Sequence, residues 1–340
     1  MSAGIVDIAT AKPGRTVDND HFAAIGLTDE WIRRRSGIAA RSWLPDETPL
    51  AEVAAEACAP IVTRVDDPSS IGALVVVSTS VRQRVPGVAQ KVAELAGLGP
   101  SVLAFDMNAA CCGFVYGLVT GLSLCAAGQA RSVLVCSVEA MSRLVDRNDR
   151  QTACIFADGS AAVLVEDRAE FAGFRQIAGC DGSQEALMRE TDAGGIHLDG
   201  MQVYDRAVRR MAESAQYLFD HGPAPTVLVG HQANGRILEQ VREFTAHLGV
   251  PFVNRIENSG NTSSASIPLA FAEELNAGSL PAAGRLGAVA YGAGEAWGGV
   301  SVDYRVPPPR PLTEPVTGNV LDKRRLSSIH QKPGSCAPAR

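Results

Sequence analysis

Phe105–Val138 reads FDMNAACCGFVYGLVTGLSLCAAGQARSVLVCSV. It opens on the end of an apolar run of strand length, Val102–Asp106, and closes on another, Ser132–Val138. Between them, Ala109–Ala130 contains no charged residue, a length that can span a bilayer. Gly113, Gly117, Thr120, Gly121, Ser123 and Gly128 dilute its apolarity, and strand-like runs flank it on both sides. Helices that are apolar all round are buried ones. The stretch therefore reads as a strand, a buried helix over Cys111–Gly128 and a second strand in an α/β protein, with no membrane association.

The same alternation extends outward. Ala73–Ser78 is a continuous apolar strand, and Val88–Gly97 has helical character. Ala153–Ala157 and Ala161–Glu166 read as two strands joined by the turn signal Asp158–Gly159. A second block rhymes with the first. Thr226–Gly230 and Pro251–Ile256 are strands, with a helix over Asn234–Leu248 between them. Thr262–Leu275 is a helix whose threonine and serines can cap its N-terminus. Leu286–Tyr291 and Val300–Arg305 close the series. Continuous apolar strands interleaved with helices imply buried sheets covered on both faces. The expected division is residues 1–168, residues 169–306 and a Pro-rich tail, 307–340. The tail carries six Lys/Arg against two acids and reads as a surface-draped or flexible extension.

Of 340 residues, 46% are hydrophobic and 20% charged, which excludes wholesale disorder. A net charge of −6 argues against non-specific nucleic-acid binding. The eight cysteines form no CxxC pair and no zinc-like spacing with histidine, so no metal site is expected. The N-terminus, MSAGIVDIATAKPG, has neither the charged nor the long apolar region of a secretory signal, which points to the cytoplasm.

Four places offer chemistry. Cys111 stands at a strand-to-helix junction, where free N–H groups and the helix dipole favour a thiolate; two small core residues, Cys111 and Cys112, are the bland alternative. His231, in Gly230–Asn234, follows an apolar strand and can project into a cleft, or serve as a hydrogen-bonded structural residue. Asn261, in Asn258–Ala265, can offer a neutral donor to an oxyanion, or belong to an ordinary capped loop. Tyr291–Gly298 contains glycines that let backbone N–H groups crowd a substrate oxygen; alone it would be a turn.

In this order, and at strand ends of two similar halves, these pieces resemble β-ketoacyl-acyl-carrier-protein synthase III, a ketosynthase of the thiolase superfamily. The resemblance runs from Ile5 to Tyr304. Its most specific parts are NAACCGF at 108–114, IFADGSAAVL at 155–164, GHQAN at 230–234, GNTSSAS at 260–266, the glycine turn at 292–294 and WIRRRSGI at 31–38.

The resemblance implies a thiolase-like five-layered αβαβα fold made of two pseudo-repeats, normally a homodimer. It maps the nucleophile to Cys111 and the other catalytic positions to His231 and Asn261. The backbone N–H groups of Cys111 and Ala293 correspond to an oxyanion hole. Trp31, Arg35 and Arg150 fall where the family holds the adenine end of coenzyme A, with Ala207 and Asn234 along the pantetheine tunnel. Val85 and Phe156 map to the acyl pocket, Val85 across the dimer interface where a bulky aromatic is common. The Gly182–His197 loop is shorter than usual. Arg236 maps to the acyl-carrier-protein contact, but Asp205 and Glu243 replace lysines there. Glu295 replaces an apolar residue, and a buried carboxylate would need a partner. The implied reaction joins an acyl-CoA primer to a malonyl thioester with loss of CO₂ and no cofactor beyond the coenzyme A thioesters. A same-fold acyltransferase, passing the acyl group from Cys111 to a hydroxyl, an amine or a carrier without decarboxylation, is the rival. A catalytically silent subunit would not need all three catalytic residues.

Overall fold

The computed structural model describes residues 2–11, 14–192 and 194–307. Most of the expected tail therefore lies outside the described residues. In chain order the elements are β1 (Ala3–Ala11), β2 (Arg15–Asp18), α1 (Asp29–Ser36), β3 (Ala40–Trp43), α2 (Leu50–Arg64), β4 (Ile71–Val77), α3 (Ala89–Leu95), β5 (Leu103–Met107), α4 (Gly113–Ala126), β6 (Ser132–Ala140) and β7 (Asp158–Asp167). They continue with β8 (Phe174–Cys180), β9 (Met188–Glu190), β10 (Ile196–Leu198), α5 (Gly200–Asp220), β11 (Val227–Gly230), α6 (Gly235–Thr245), β12 (Phe252–Val253), α7 (Ile256–Ser259), α8 (Ser266–Asn276), β13 (Ala283–Gly292) and β14 (Ala296–Arg305).

The long strands repeat one topology. The first five, β1, β4, β5, β6 and β7, lie side by side in the order β5-β4-β6-β7-β1. The second five lie in the order β12-β11-β13-β14-β8. Numbered within each set, both read 3-2-4-5-1. The first three neighbours are parallel and the last two contacts antiparallel in each set. The sets meet where Ile5 of β1 pairs in parallel with Tyr304 of β14. Helix α4 packs on strands of both sets, and so does α8. Helices α2 and α3 cover the outer side of the first set, and α5 and α6 that of the second. The result is αβαβα, two duplicated halves around a shared helical layer.

That central position explains the glycines of α4. Gly113, Gly117 and Gly121 recur every four residues, on one face. A Cβ on Gly117 would lie 2.7 Å from Val77 Cγ2, and one on Gly121 would lie 2.8 Å from Val135 Cγ2. The helix rests on the sheet through a stripe without side chains. The helix spans 14 residues, and among the described residues no helix is long and apolar enough to cross a membrane.

Three expectations change. Ala153–Ala157 and Ala161–Glu166 are not a hairpin: a single strand, β7, starts at Asp158, preceded by turns up to Ile155 and an isolated bridge from Phe156 to Asn261. Asp158 is buried there and accepts Leu44 N–H at 2.6 Å and the Ser142 hydroxyl at 2.6 Å, so it is a core acceptor rather than a turn residue. The helix expected from Thr262 begins at Ser266, after a 3₁₀ turn over Ser263–Ala265, and no side chain caps it. Thr262 Oγ1 is buried and finds no partner among the described residues. Finally, α5 is a 21-residue helix in a stretch with no expected element. Its buried Val203, Ala207, Met211, Ala215 and Leu218 carry a plain helical period.

Candidate active site

Cys111 sits in a 3₁₀ turn, Ala110–Cys112, that carries the chain from β5 into α4. Ala110 is held at φ +46°, with its N–H donating to Asn108 Oδ1 at 3.1 Å. The turn is roofed by the end of β13. A Cβ on Gly292 would start 3.0 Å from the Cys111 amide nitrogen and 3.3 Å from its Cβ, so any side chain there would press on the Cys111 turn. The Ser263 hydroxyl lies 3.8 Å from Cys111 Sγ. Only 7% of the residue is exposed, and burial pushes the thiol up to about 12. The thiolate expected from helix-end position alone is therefore not the resting form, because desolvation outweighs the dipole and the Ser263 hydrogen bond.

Asn261 is clamped from behind. Its N–H donates to Ile155 O at 3.0 Å, and its carbonyl accepts Ala157 N–H at 2.9 Å. Strand β3 holds that partner segment in turn. Arg41 Nη2 donates to Cys154 O at 2.6 Å, and Trp43 Nε1 to Phe156 O at 3.1 Å. At the side chain, Oδ1 accepts Ser263 N–H at 2.9 Å. With the oxygen taken, Nδ2 is the free end, held only by a long 3.5 Å contact to Ala233 O.

His231 follows β11, with its N–H donating to Val289 O at 2.9 Å. The next residue, Gln232, is wholly buried and fixes the loop by donating to Gly230 O and accepting Arg255 N–H. His231 Nδ1 lies 2.6 Å from Ser266 Oγ, which also accepts Gln232 N–H at 3.2 Å. We assign the proton to Nε2, the tautomer in which the Ser266 hydroxyl donates its hydrogen to Nδ1. Burial pushes the imidazole down to about 3, so it is neutral at physiological pH. A chain of contacts runs from Cys111 through Ser263 to Asn261 and on through Ala233, whose N–H donates to His231 O, to His231.

Strain collects at the same place. The described non-glycine residues at positive φ are Ala110, Ser263 and Glu295, beside Cys111, Asn261 and Ala293 respectively. Each costs about 1–3 kcal/mol and persists only where packing over-determines it. Glu295 finds its partners on α5. Its buried carboxylate pairs with Arg206 and, at 3.4 Å, with Arg210, whose guanidinium lies 3.8 Å from the centroid of Trp297. Sequence reasoning missed these arginines as partners, since α5 itself was not anticipated. It also missed Glu139, a completely buried acid on β6 that accepts the Ser264 hydroxyl at 2.6 Å.

The remaining candidates fall in separate places. Arg35 lies 5.4 Å over the Trp31 ring, and Asn234 Nδ2 donates to Arg35 O at 3.1 Å. Asn234 also caps α6. Arg150 donates to Gly26 O at 3.0 Å, just before α1. Arg236 sits 5.7 Å from the Tyr204 ring and forms no ion pair among the described residues. It lines a groove of about 530 Å³ with Arg33, Glu239 and Glu243. Ala207 is buried on the core face of α5, and Phe156 packs with Met141, Leu144 and Val145. Val85 stands apart from all of these, 89% exposed.

Comparison with known proteins identifies the family. Residues 105–182 match the family 3-oxoacyl-[acyl-carrier-protein (ACP)] synthase III, and residues 225–304 match its C-terminal counterpart. The β-ketoacyl-[acyl-carrier-protein] synthase III of Staphylococcus aureus is 30% identical over 312 residues, covering 89% of this chain and 99% of its own. That of Halalkalibacterium halodurans, named synthase III 1, is 34% identical over 310 residues, covering 89% of this chain and 98% of its own. The 3-oxoacyl-(acyl carrier protein) synthase III of Pseudomonas aeruginosa superposes with a TM-score of 0.83 at 32% identity, over 90% of this chain and 99% of the other. The priming β-ketosynthase of a polyketide pathway superposes at 0.82 with 26% identity, over 91% and 97%. The duplicated αβαβα fold, the Cys–His–Asn cluster and these likenesses together place the chain in the β-ketoacyl-[acyl-carrier-protein] synthase III family, ketosynthases of the acyltransferase class.

Proposed function

We propose that the protein primes fatty-acid or polyketide synthesis by decarboxylative condensation through an acyl-Cys111 intermediate. The observation that carries this reading is the state of the site. A buried cysteine in a turn under Gly292 is linked through Ser263 to an asparagine with its amide donor free, and through Ala233 to a neutral histidine.

In the first half-reaction Cys111 Sγ attacks an acyl-CoA thioester carbonyl. The N–H groups of Cys111 and Ala293 receive the oxyanion. Coenzyme A leaves as a thiol and takes up the proton that Cys111 gives up, so no net charge is left in a dry site. In the second half-reaction a malonyl thioester enters. Neutral His231 Nε2–H and Asn261 Nδ2–H donate to its thioester carbonyl and stabilise the enolate as CO₂ departs. A cationic histidine would hold the malonyl carboxylate and oppose its loss. The enolate carbon attacks the acyl-cysteine carbonyl, the C–S bond to Cys111 breaks, and the released sulfur takes up one proton from solvent to restore the thiol.

Trp31, Arg35 and Arg150 are proposed to hold the adenine end of coenzyme A, and Ala207 and Asn234 the pantetheine arm. Arg236 is the proposed contact for an acidic carrier protein. Two chains are proposed to pair edge to edge along β5, which hydrogen-bonds to β4 on one side only and leaves Leu103 55% exposed. Val85 would then reach the partner's acyl pocket.

Intact-protein mass spectrometry after incubation with a panel of acyl-CoAs tests the first step. The expected result is the mass gain of one acyl group that is lost in Cys111→Ala. A gain that survives in Cys111→Ala would move the nucleophile elsewhere. Loading with no CO₂ release from malonyl thioester would favour acyl transfer to another acceptor.

A further inference from the structure

Glu139 has no assigned role in the steps above. Its carboxylate gathers donors from separate segments. Oε1 accepts the Ser264 hydroxyl at 2.6 Å, and Oε2 accepts Thr79 N–H and Ser80 N–H, each at 3.1 Å. The Ser80 hydroxyl lies 2.8 Å from Oε2. Backbone donors cannot reverse. Ser80 Oγ also accepts Ala140 N–H at 2.7 Å, and the carboxylate is the nearer acceptor for its hydrogen, with Ser78 Oγ at 3.3 Å. The pocket is arranged for an anion, and no cation among the described residues pairs with it. A buried carboxylate without a counter-charge is costly, and hydrogen bonds offset that only in part.

The place it occupies gives that cost a use. Ser264 follows Ser263, whose hydroxyl reaches Cys111 Sγ and whose N–H holds Asn261 Oδ1. The carboxylate is thus one residue removed from the hydroxyl that touches Cys111, and after burial its charge also disfavours a negative charge there. Other titratable groups around the Cys111 turn are neutral at physiological pH. Cys112 in the turn and Tyr291 on β13 are pushed up by burial, and His231 is pushed down. The charge of Glu295, beyond Tyr291, is matched by Arg206 and Arg210.

We propose that Glu139 is a positioning residue for Cys111. Its carboxylate fixes the Ser263–Ser264 turn that orients Cys111 and Asn261, and its uncompensated charge adds to burial in disfavouring a thiolate at Cys111. The proposal rests on the reading of Cys111 as the nucleophile.

Two variants separate charge from scaffold. Glu139→Gln is near-isosteric. Its Oε1 can accept Thr79 and Ser80 N–H, while Nε2 donates to Ser264 Oγ, whose hydroxyl is free to reverse. Glu139→Asp keeps the charge and shortens the reach. The first readout is the rate of Cys111 alkylation by iodoacetamide near pH 8, followed by peptide mass. Well below the thiol's titration the rate follows the thiolate fraction. Lowering the pKa by one unit gives about tenfold more thiolate, offset by weaker nucleophilicity to a net gain of roughly threefold. Glu139→Gln should therefore alkylate at least about threefold faster, and Glu139→Asp at the wild-type rate. Glu139→Asp should condense about ten- to a hundredfold more slowly, from misplacement of the turn. Unchanged alkylation in Glu139→Gln, or equal acceleration in both variants, would overturn the charge role, since loosened packing raises both. If Glu139→Gln does not fold, wild-type condensation by Glu139→Asp would overturn the positioning role by itself. A wild-type enzyme that alkylates at Cys111 but accepts no acyl group would instead sink the parent reading.

Discussion

With its ring buried and Nδ1 beside Ser266, His231 binds a proton only near pH 3, against 6.5 in an unfolded chain. Between those values the unfolded chain carries the extra proton, so stability falls as pH drops through the window. The slope for this residue is at most about 1.4 kcal/mol per pH unit. Glu139 and Asp158, both pushed up by burial, act with the opposite sign at the acidic end. The clean test is thus a difference: urea unfolding at a series of pH values should show a shallower acid loss for His231→Asn than for wild type. The same neutrality predicts how the half-reactions separate. His231→Ala and Asn261→Ala should each slow decarboxylation by about 10²–10³-fold while leaving acyl loading near normal, measured as CO₂ release against mass gain. Cys111 and His231 stood out as candidates because each follows a strand next to small residues, and Asn261 because Gly260 and a Thr–Ser run flank it. Ser266 and Glu139 did not. Their roles depend on contacts across 35 and 125 residues of chain, which neither spacing nor periodicity encodes.

At the scale of elements, α4 shows how composition can mislead and still inform. Its glycines dilute apolarity, but their four-residue spacing marks the face that lies against β4 and β6. Gly117→Ala sets two effects against each other. Helix propensity gains about 1 kcal/mol, and crowding against Val77 at 2.7 Å costs about 1–3 kcal/mol. Because Val77 is fully buried and short, crowding should win, and the urea midpoint should fall. At Gly200, the first residue of α5, a Cβ meets nothing within 4 Å, so Gly200→Ala should leave the midpoint unchanged or raise it. The central strands β4, β6, β11 and β13 were legible as continuous apolar runs because helices cover both faces of the sheets, whereas β1 and the half-exposed β8 were not, and the strand expected over Pro251–Ile256 shortens to β12 as Ile256 opens α7. The 153–166 hairpin was misread because Asp158–Gly159 looks like a turn, and the acceptor role of a buried Asp158 is set by β3 and Ser142.

For the molecule as a whole, two similar halves were visible in the sequence, whereas the repeated 3-2-4-5-1 order and the shared α4–α8 layer required the structure. What one chain leaves unpaired bears on assembly. β5 forms an open edge, and Leu103 and Val85 are exposed large apolar residues near it in sequence and fold. Unprotected edges invite pairing. Leu103→Lys should shift the protein toward monomer in sedimentation velocity, and an unchanged dimer would place the interface elsewhere. The central claim concerns the carbon–carbon bond. Enzyme preloaded with an acyl group should be given carboxyl-labelled malonyl thioester, with released CO₂ and the product mass followed together. The account predicts label in CO₂ matched one for one by a β-ketoacyl thioester, with both lost in Cys111→Ala. Acyl groups leaving Cys111 for another acceptor while the label stays in malonate would contradict it.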